Sequence, residues 1–278
     1  KVEGFHKRDE LELLMQRRTG RLSLASEPIN SDIAGRAYQQ QAIRSVAEAI
    51  EQHNLRRSLL VMATGSGKTR TVIALVDLMM RCNYVKRVLF LADRVSLVKQ
   101  AAREFGKNLA SAGIVNLLDG ADGTGRVYVS TYPTMLNHIN NNSEVVRKFG
   151  IGYFDLVIVD EAHYLRNAGN RSNELGRHLS DWADAMIFLS ATPLNLGTSD
   201  LFNLLSLLDD VQFFDKNTFD EQIEPNMHLN HVARRLSELN INPRELLPIL
   251  ELIEDTAMGD SITSRSDYER LHELLDQD

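Results

Sequence analysis

Short apolar runs alternate with segments in which apolar residues recur every three or four positions, from about Leu59 to Leu208. The runs are typical of strands buried on both faces, and the recurring pattern is typical of helices that bury one face. The predicted strands are Leu59–Met62, Val88–Ala92, Ile114–Leu117, Val127–Ser130, Leu156–Asp160 and Met186–Ser190. The predicted helices between them are Thr69–Met80, Ser96–Phe105, Thr134–Ile139 and Asn173–Trp182. This alternation predicts an α/β fold of three layers with a mostly parallel central sheet.

The pattern changes on both sides of this region. Residues 1–32 are predicted to form an N-terminal helical and linker segment, with helical spacing in Asp9–Arg18. Residues 33–210 are predicted to be the α/β domain, and residues 211–278 a mainly helical extension. The helices predicted after the strand signal fades are Leu201–Leu208, Val232–Leu239, Arg244–Ile253 and Tyr268–Leu275.

The charge of the chain is concentrated near its end. The 278 residues carry a net charge of −7, and residues 244–278 hold ten acidic and three basic side chains. The remaining residues have 28 of each sign, so the overall charge neither indicates nor excludes a nucleic-acid partner. The acidic extension is interpreted as a solubilising surface, with a partner-binding surface as the alternative.

The composition is that of an ordinary globular protein, with 43% hydrophobic and 25% charged residues. No apolar run approaches the roughly 18 residues of a membrane span, and no signal-peptide pattern is recognisable in the charged first residues. The single cysteine, Cys82, is compatible with a reducing compartment. We therefore expect a cytoplasmic protein, and the start at Lys1 instead of Met suggests a fragment or a processed chain.

A glycine-rich turn follows the first predicted strand, and a helix begins near Lys68, which is the arrangement of a phosphate-binding loop. Glycine lets backbone N–H groups turn towards phosphates, Lys68 adds a positive charge, and the Thr69 hydroxyl suits Mg²⁺. The strict motif has glycine where Met62 stands, and a turn with an exposed lysine is the simpler alternative. The loop residues predicted to bind the nucleotide are Thr64, Gly65, Ser66, Gly67, Lys68 and Thr69.

Two adjacent carboxylates follow the apolar strand Leu156–Asp160 in the tetrad Asp160-Glu161-Ala162-His163. Ligands of open α/β sheets bind at the carboxyl ends of the strands. Asp160 is predicted to hold Mg²⁺, and Glu161 to orient and deprotonate a water molecule, which are the functions that phosphoryl transfer requires. An acidic pair in this place is alternatively a solvated strand end, but its combination with the lysine loop favours the catalytic interpretation.

With these two motifs, the chain resembles the first RecA-like lobe of a superfamily 2 helicase or translocase of the DEAH-box type. Further matching segments follow in the family's order, at Arg36–Gln39, Leu91–Arg94, Ser130–Thr134 and Ser190–Pro193. The resemblance covers about residues 33–208 and implies a RecA-like P-loop NTPase fold.

The resemblance implies specific nucleotide-site residues. Gln39, with Arg36 nearby, would recognise adenine, although Gln39 is alternatively a surface residue at a helix start. His163 would form hydrogen bonds between the hydrolysis site and a neighbouring motif. The implied catalytic residues are Lys68, Asp160, Glu161 and His163, and the implied metal-binding residues are Thr69 and Asp160.

The resemblance also implies contacts with nucleic acid. Arg94 and Thr131 would contact its phosphate backbone, and Ser190 and Thr192 would couple hydrolysis to strand movement. The alternatives are that Arg94 and Thr131 only cap helices and that Ser190 and Thr192 only form a turn.

Two parts of the chain resemble different branches of the superfamily. Residues 36–105 resemble the motor of type I restriction enzymes, and residues 160–208 resemble Swi/Snf-type translocases and bacterial polymerase-recycling ATPases. Both branches track along duplex DNA. The resemblance therefore implies an ATP-binding motor lobe of a DNA translocase that uses ATP and Mg²⁺ and contacts duplex DNA through its backbone.

Such motors build their ATP site between two lobes, and no second phosphate-binding sheet is predicted after Leu208. The expected partners are a second RecA-like lobe and subunits of a restriction or remodelling complex, with no membrane partner. Arginine fingers from a partner raise the rates of other NTPases by about 10³–10⁵, so slow hydrolysis is expected from this chain alone. An RNA helicase lobe and a nucleotide-sensing module with little hydrolysis are the alternatives.

Overall fold

The structure is a computed structural model, and it describes Met15 and residues 20–120, 124–140, 149, 151–167, 169–191, 198–236 and 242–276. Most of the predicted helix Asp9–Arg18 and the predicted coupling residue Thr192 lie outside these residues.

The strands are β1 (Arg57–Val61), β2 (Val88–Ala92), β3 (Ile114–Asn116), β4 (Val127–Thr131), β5 (Leu156–Val159) and β6 (Ala185–Ser190). The α-helices of the first part of the chain are α1 (Ala37–His53), α2 (Lys68–Arg81), α3 (Val95–Asn108), α4 (Tyr132–Asn140), α5 (Arg171–Trp182) and α6 (Thr198–Leu208). Those that follow are α7 (Lys216–Leu236), α8 (Leu247–Glu251), α9 (Gly259–Thr263) and α10 (Ser266–Asp276). Short 3-10 helices are Ala110–Ala112, Leu117–Asp119, Ala162–Leu165 and Pro243–Leu246.

The six strands form one sheet in the order β1-β6-β5-β2-β4-β3, and every pairing is parallel. All residues of β2, β4, β5 and β6 are buried, as expected for a parallel sheet covered by helices on both faces. The helices α1, α2 and α3 contribute to the hydrophobic core on one face, and α4, α5 and α6 to the core on the other. The predicted three-layer RecA-like fold is therefore confirmed.

The strand register brings the carboxyl ends of five strands to one edge of the sheet. At this edge Val61 of β1 pairs with Ser190 of β6, and Ala92 of β2 pairs with Thr131 of β4. Val159 of β5 lies between the same two pairs, because its neighbours are Phe188 of β6 and Leu91 of β2. The residues that directly follow these five strands therefore lie side by side along this edge of the sheet.

The chain divides into two compact units, residues 1–210 and residues 211–278. In the second unit the structure describes residues 211–236 and 242–276, and the regular elements within these ranges are helices. It has a hydrophobic core of its own, formed by Val232, Leu246, Leu250, Ile253, Tyr268 and Leu275.

The structure differs from the sequence prediction in several helices. Helix α1 was not predicted as an element, because Arg36–Gln39 was interpreted only as a motif. Helix α7 begins at Lys216 instead of the predicted Val232. It buries only Phe219, Pro225 and Val232 among its described residues, so its apolar periodicity is weak. The predicted helix Arg244–Ile253 is divided between a 3-10 helix and α8.

Candidate active site

The loop between β1 and α2 is shaped by two glycines with positive φ, Gly65 at 74° and Gly67 at 90°. Gly67 is the N-cap of α2 and provides no capping side chain. The first turn of α2 contains no acidic residue, so its N-terminal N–H groups and the helix dipole are available to an anion. Lys68 and Thr69 are the first two residues of this helix. The loop therefore has the conformation that binds phosphate at a helix N-terminus.

Gln39 is buried against this loop. Its Nε2 donates a hydrogen bond to the Ser66 carbonyl over 3.1 Å, and its Oε1 accepts one from the Arg36 N–H over 3.3 Å. The Tyr38 hydroxyl also donates to the Ser66 carbonyl over 2.7 Å, and it accepts a hydrogen bond from the Arg36 guanidinium. The predicted adenine-recognition segment is thus in direct contact with the predicted phosphate loop.

The absence of a side chain at Gly67 makes room for the amide of Gln39. A Cβ atom at this position would lie 2.6 Å from Gln39 Nε2, which is closer than real Cβ atoms approach another heavy atom. Gly67 therefore serves both the backbone conformation and the close approach of Gln39.

The acidic pair follows β5 at the same edge of the sheet. The backbone N–H of Asp160 donates to the Leu91 carbonyl over 2.8 Å, and the Tyr132 hydroxyl donates to the Asp160 carbonyl. These contacts with β2 and α4 fix the backbone of Asp160. The next residue, Glu161, has a φ of 51°, a conformation that residues other than glycine adopt infrequently. This turn directs Glu161 away from the strand and starts the 3-10 helix Ala162–Leu165.

Lys68 and Glu161 form an ion pair across the site. Lys68 Nζ lies 2.7 Å from Glu161 Oε1, although the two residues are 93 positions apart in the chain. Both side chains are largely buried, with 11% and 23% exposed. His163 Nδ1 lies 3.3 Å from Glu161 Oε2, but this approach lacks hydrogen-bond geometry, and the nitrogen has no hydrogen-bond partner among the described residues.

The electrostatic environment of Asp160 suits a divalent cation. Burial and the neighbouring charge of Glu161 raise the pKa of Asp160 to about 6, against the opposing effect of Lys68. A bound cation relieves this penalty because it neutralises the ionised carboxylate. Magnesium in nucleotide sites is commonly held by one or two protein oxygens together with substrate phosphates. Asp160 therefore fits Mg²⁺ that arrives with a nucleotide, and the Thr69 hydroxyl as a second ligand stays a prediction.

The predicted nucleic-acid residues differ in their exposure. The Arg94 side chain is 71% exposed, and its Nε donates to Asp93 Oδ2 over 3.1 Å. Thr131 is buried, and its Oγ1 donates to the Thr134 hydroxyl and accepts from the Thr134 N–H at the start of α4. Ser190 is fully buried at the end of β6. Arg94 is thus accessible to a ligand, whereas the Thr131 hydroxyl caps a helix, and contact of Thr131 with nucleic acid stays a prediction.

Three residues at the site were not identified from the sequence. Tyr132 holds the Asp160 backbone, Asp93 pairs with Arg94, and Tyr164 packs its ring on His163 with centroids 4.3 Å apart. Hydrogen bonding with the Tyr164 hydroxyl, together with Asp93, raises the pKa of Arg94. The only signal in the sequence was their proximity to the predicted motifs.

A family model described as "Type III restriction enzyme, res subunit" matches residues 32–195. This range includes the phosphate loop, the acidic tetrad and the strand ends described above. The chain belongs to this family. This membership confirms that the chain resembles the N-terminal lobe of superfamily 2 helicases.

The relatives of this chain include a restriction-enzyme subunit and a polymerase-associated protein, one for each of the two branches that the sequence resembles. The chain is 31% identical over 191 residues to the type I restriction enzyme EcoKI endonuclease subunit of Escherichia coli strain K12, covering 61% of this chain and 16% of that protein. It is 24% identical over 262 residues to the RNA polymerase-associated protein RapA of Pasteurella multocida strain Pm70, covering 84% and 26%. The chain thus spans only between 16% and 26% of the length of these curated relatives.

A solved structure of the Sulfolobus solfataricus SWI2/SNF2 ATPase core in complex with dsDNA has the same fold as this res-subunit family member. The TM-score is 0.56 at 14% identity, and the match covers 86% of this chain and 63% of that chain. Among the described residues, no helix is both long and apolar enough to cross a membrane.

Proposed function

We propose that this chain is the ATP-binding motor lobe of an ATP-dependent translocase that moves on duplex DNA. The observation that carries the proposal is the ion pair between Lys68 and Glu161, 2.7 Å long, beside the buried Asp160. A phosphate-binding lysine, a metal-binding carboxylate and a water-activating carboxylate are thereby brought to one edge of the sheet. This combination is the one that phosphoryl transfer to water uses.

Each residue has a distinct task in this proposal. The N–H groups of the loop and Lys68 bind the β- and γ-phosphates. Asp160 and Thr69 hold Mg²⁺, which neutralises phosphate charge when it is bound. When the γ-phosphate pairs with Lys68, the ion pair between Lys68 and Glu161 is broken. The released carboxylate of Glu161 then orients the attacking water and accepts its proton. Gln39 places the adenine side of the nucleotide next to the loop that it already contacts.

Duplex DNA would lie along the same edge of the sheet. The exposed guanidinium of Arg94 suits a phosphate of the DNA backbone. This assignment is supported by relatives named as restriction endonuclease subunits and by the SWI2/SNF2 core that was solved with dsDNA. The same relatives favour DNA over the RNA helicase alternative. They support a role in a restriction or remodelling system, and we propose a cytoplasmic protein associated with the nucleoid and with subunits of that system.

The proposed active site is completed by a second RecA-like lobe. The first lobe presents the phosphate loop and the carboxylates, and among the site residues described above only Lys68 is a cation directed at the phosphates. In other NTPases an arginine finger from a partner contributes about 10³–10⁵ in rate. We therefore propose that this chain alone binds Mg·ATP and hydrolyses it slowly, and that the second lobe supplies the missing charge.

The proposal is tested by calorimetry of Mg·ATP binding to the wild type and to Lys68→Ala, followed by hydrolysis assays with and without duplex DNA. Lys86→Ala is the matched control, because Lys86 is exposed and precedes β2 at the opposite edge of the sheet. We expect binding by the wild type and the control, and loss of binding in Lys68→Ala. Equal binding by Lys68→Ala would refute the phosphate-loop assignment.

The hydrolysis assay separates the motor from a nucleotide-sensing module. A motor lobe in the full-length protein is stimulated by duplex DNA, whereas a sensing module binds ATP without DNA-dependent turnover. RNA-stimulated turnover in place of DNA-stimulated turnover would identify an RNA helicase instead. Turnover by this chain alone at the rate of a complete two-lobe motor would contradict the proposed need for a second lobe.

A further inference from the structure

Four arginines lie at the edge of the sheet opposite the candidate active site, where the strands begin. Arg56 and Arg57 lie at the start of β1, Arg87 directly precedes β2, and Arg126 directly precedes β4. Because all the pairings of the sheet are parallel, these strand starts share one edge. The Val88 N–H donates a hydrogen bond to the Arg126 carbonyl over 2.8 Å, which places Arg126 beside Arg87. We call the four residues the amino-edge arginines.

Two of the amino-edge arginines are fixed by backbone carbonyl groups. The Arg57 guanidinium donates to the Ser180 carbonyl near the end of α5, and Arg126 Nε donates to the Lys86 carbonyl over 3.1 Å. A carbonyl group holds a guanidinium in place without neutralising its charge, and a guanidinium has five N–H donors. Both side chains therefore retain N–H groups for an anion.

The other two amino-edge arginines also have neutral neighbours. The Arg87 guanidinium lies 4.3 Å from the centroid of the Tyr153 ring, and Arg56 Nε donates to the Asn54 side chain over 3.3 Å. Within the described parts of the chain, no carboxylate forms an ion pair with any of the four arginines. This edge of the sheet therefore presents positive charge that is available to a polyanion.

The amino-edge arginines form two groups with acidic residues between them. Strands β6 and β5 lie between β1 and β2, so the two groups are three strand spacings apart, or about 14 Å. Asp155 and the exposed Asp184 precede these two middle strands, and both line one surface depression together with Arg56. An extended acidic peptide along this edge would have to cross Asp184. Duplex DNA instead carries its phosphates in two rows, on either side of a major groove about 12 Å wide.

We propose that the amino-edge arginines form a second binding site for duplex DNA. Arg56 and Arg57 contact phosphates of one strand, Arg87 and Arg126 contact phosphates of the other, and the groove between the strands faces Asp184. Arginine suits this task because its planar set of donors matches the oxygens of a phosphate. The inference rests on the proposed function for the choice of DNA as the polyanion, and it adds a contact remote from the ATP site.

A straight duplex cannot occupy both DNA sites at once. The proposed contact at Arg94 follows β2 at the carboxyl edge, whereas Arg87 precedes β2 at the amino edge, and the sheet with its helices separates the two. Duplexes much shorter than the persistence length of about 150 base pairs stay nearly straight. The chain therefore holds two separate duplex segments, or two parts of one strongly bent duplex.

The test is the number of short duplexes that the full-length protein binds. A duplex of about 20 base pairs is far shorter than the persistence length, so native mass spectrometry counts independent sites. The wild type is expected to bind two duplexes. The double variant Arg57→Ala with Arg126→Ala is expected to bind the second duplex more weakly. Its salt dependence, the slope of log K against log salt, should be lower by about two, because each phosphate contact contributes about 0.9.

Two matched variants separate the effect of charge from an effect on folding. Arg57→Lys with Arg126→Lys keeps both charges and is expected to bind two duplexes with nearly the salt dependence of the wild type. Arg103→Ala with Arg270→Ala removes two exposed charges from α3 and α10, and it should also bind two duplexes. Equal losses in the lysine pair and the alanine pair would show that the effect comes from the fold, and they would overturn the inference.

The outcomes separate the second site from the proposed function. If the wild type binds one duplex and DNA stimulates its ATP hydrolysis, the second site is wrong and the motor assignment stands. If DNA fails to stimulate hydrolysis, but the wild type binds two duplexes and the alanine pair binds the second more weakly, the motor assignment is wrong and the second site stands. Binding of polyglutamate in place of DNA at the amino-edge arginines would assign this surface to an acidic protein and overturn the inference.

Discussion

Lys68 Nζ and Glu161 Oε1 are 2.7 Å apart, so the lysine that would bind phosphate is neutralised by the carboxylate that would activate water. A nucleotide must compete with Glu161 for Lys68 before it binds fully. The ion pair is mostly buried, and buried pairs are screened less by solvent than surface pairs. The energy of this contact is therefore part of the apparent affinity for ATP.

Glu161→Gln is expected to bind Mg·ATP more tightly than the wild type while losing hydrolysis. The amide keeps the shape of the side chain but removes the charge that competes for Lys68, so an increase in affinity of roughly five-fold, about 1 kcal/mol, is expected. Hydrolysis should fall by about 10²–10⁴-fold, because the general base is lost. Calorimetry and single-turnover assays measure the two effects, with the exposed Glu48→Gln as control. Loss of nucleotide binding in Glu161→Gln would show that Glu161 is a structural residue.

Asp160→Asn is expected to stabilise the nucleotide-free protein at pH 8. The pKa of Asp160 is raised to about 6 by burial and by Glu161, so between about pH 4 and 6 its carboxyl stays protonated in the folded protein while it ionises in the unfolded chain, and above pH 6 the folded protein holds an unfavourable buried charge. Its contribution to stability is complete below about pH 4 and is lost as the pH rises through about 6. Asp160→Asn should therefore raise the free energy of unfolding by about 1–3 kcal/mol at pH 8 and change it little at pH 4.

Urea unfolding at both pH values measures this effect, and Asp155→Asn is the contrast. Asp155 has the same 8% exposure as Asp160 and lies at the other end of β5. Its Oδ2 accepts two backbone hydrogen bonds of 2.7 Å from Lys86 and Arg87. Asp155→Asn should therefore destabilise the protein by about 1–2 kcal/mol at pH 8. A destabilising effect of Asp160→Asn at pH 8 would contradict the assignment of an unfavourable buried charge.

Gly67→Ala is expected to destabilise the protein by about 2–3 kcal/mol and to abolish ATP binding, because the new Cβ meets Gln39 and φ stays positive. Gly65→Ala is the matched control. Its φ of 74° is similar, but no atom lies within 4 Å of an added Cβ, so only about 1 kcal/mol of backbone strain is expected. Adding Gln39→Ala to Gly67→Ala should restore the part of the loss that comes from the clash. Equal losses for the two glycine variants would show that the clash has no effect.

Thr131→Ala is expected to lower stability by about 1 kcal/mol through loss of the helix cap, and Thr131→Ser should retain most of it. DNA affinity should change little in either variant once folding is complete. Arg94→Ala should instead leave the free energy of unfolding almost unchanged, because the side chain is exposed, and reduce the salt dependence of DNA binding by about one phosphate contact. Thermal unfolding and fluorescence anisotropy at several salt concentrations separate the two residues. Weaker DNA binding by Thr131→Ala than by Thr131→Ser, measured where both variants are fully folded, would indicate that the Thr131 hydroxyl does contact DNA.

The strands and the layer arrangement could be predicted because each strand is a short apolar run, as in Leu156–Val159. Helix α7 could not be bounded, since Pro225 lies inside it and proline is a typical signal of a helix end. The sequence placed Lys68 and Glu161 at the same edge of a sheet, but their contact depends on the strand order, which periodicity does not determine.

Several contacts of the candidate site involve residues that the sequence separates widely. Gln39 lies 27 positions from Ser66, the residue that accepts its hydrogen bond, and no local pattern identifies that partner. The contact of the Tyr132 hydroxyl with the Asp160 carbonyl joins the start of α4 to the segment after β5, and so it also depends on the three-dimensional arrangement of the sheet. The sequence therefore supplied the motifs, and the tertiary structure supplied the pairings between them.

The position of β1 at the edge of the sheet constrains when the nucleotide site can form during synthesis. Within the part of the chain that the structure describes, its one strand neighbour is β6, which ends at Ser190, and β6 and β5 both lie between β1 and β2. A nascent chain that has reached only β4 thus has a phosphate loop with no sheet to support it. ATP cannot assist the folding of the emerging N-terminal half, and the ribosome must deliver about the whole first unit before the ligand adds any stability.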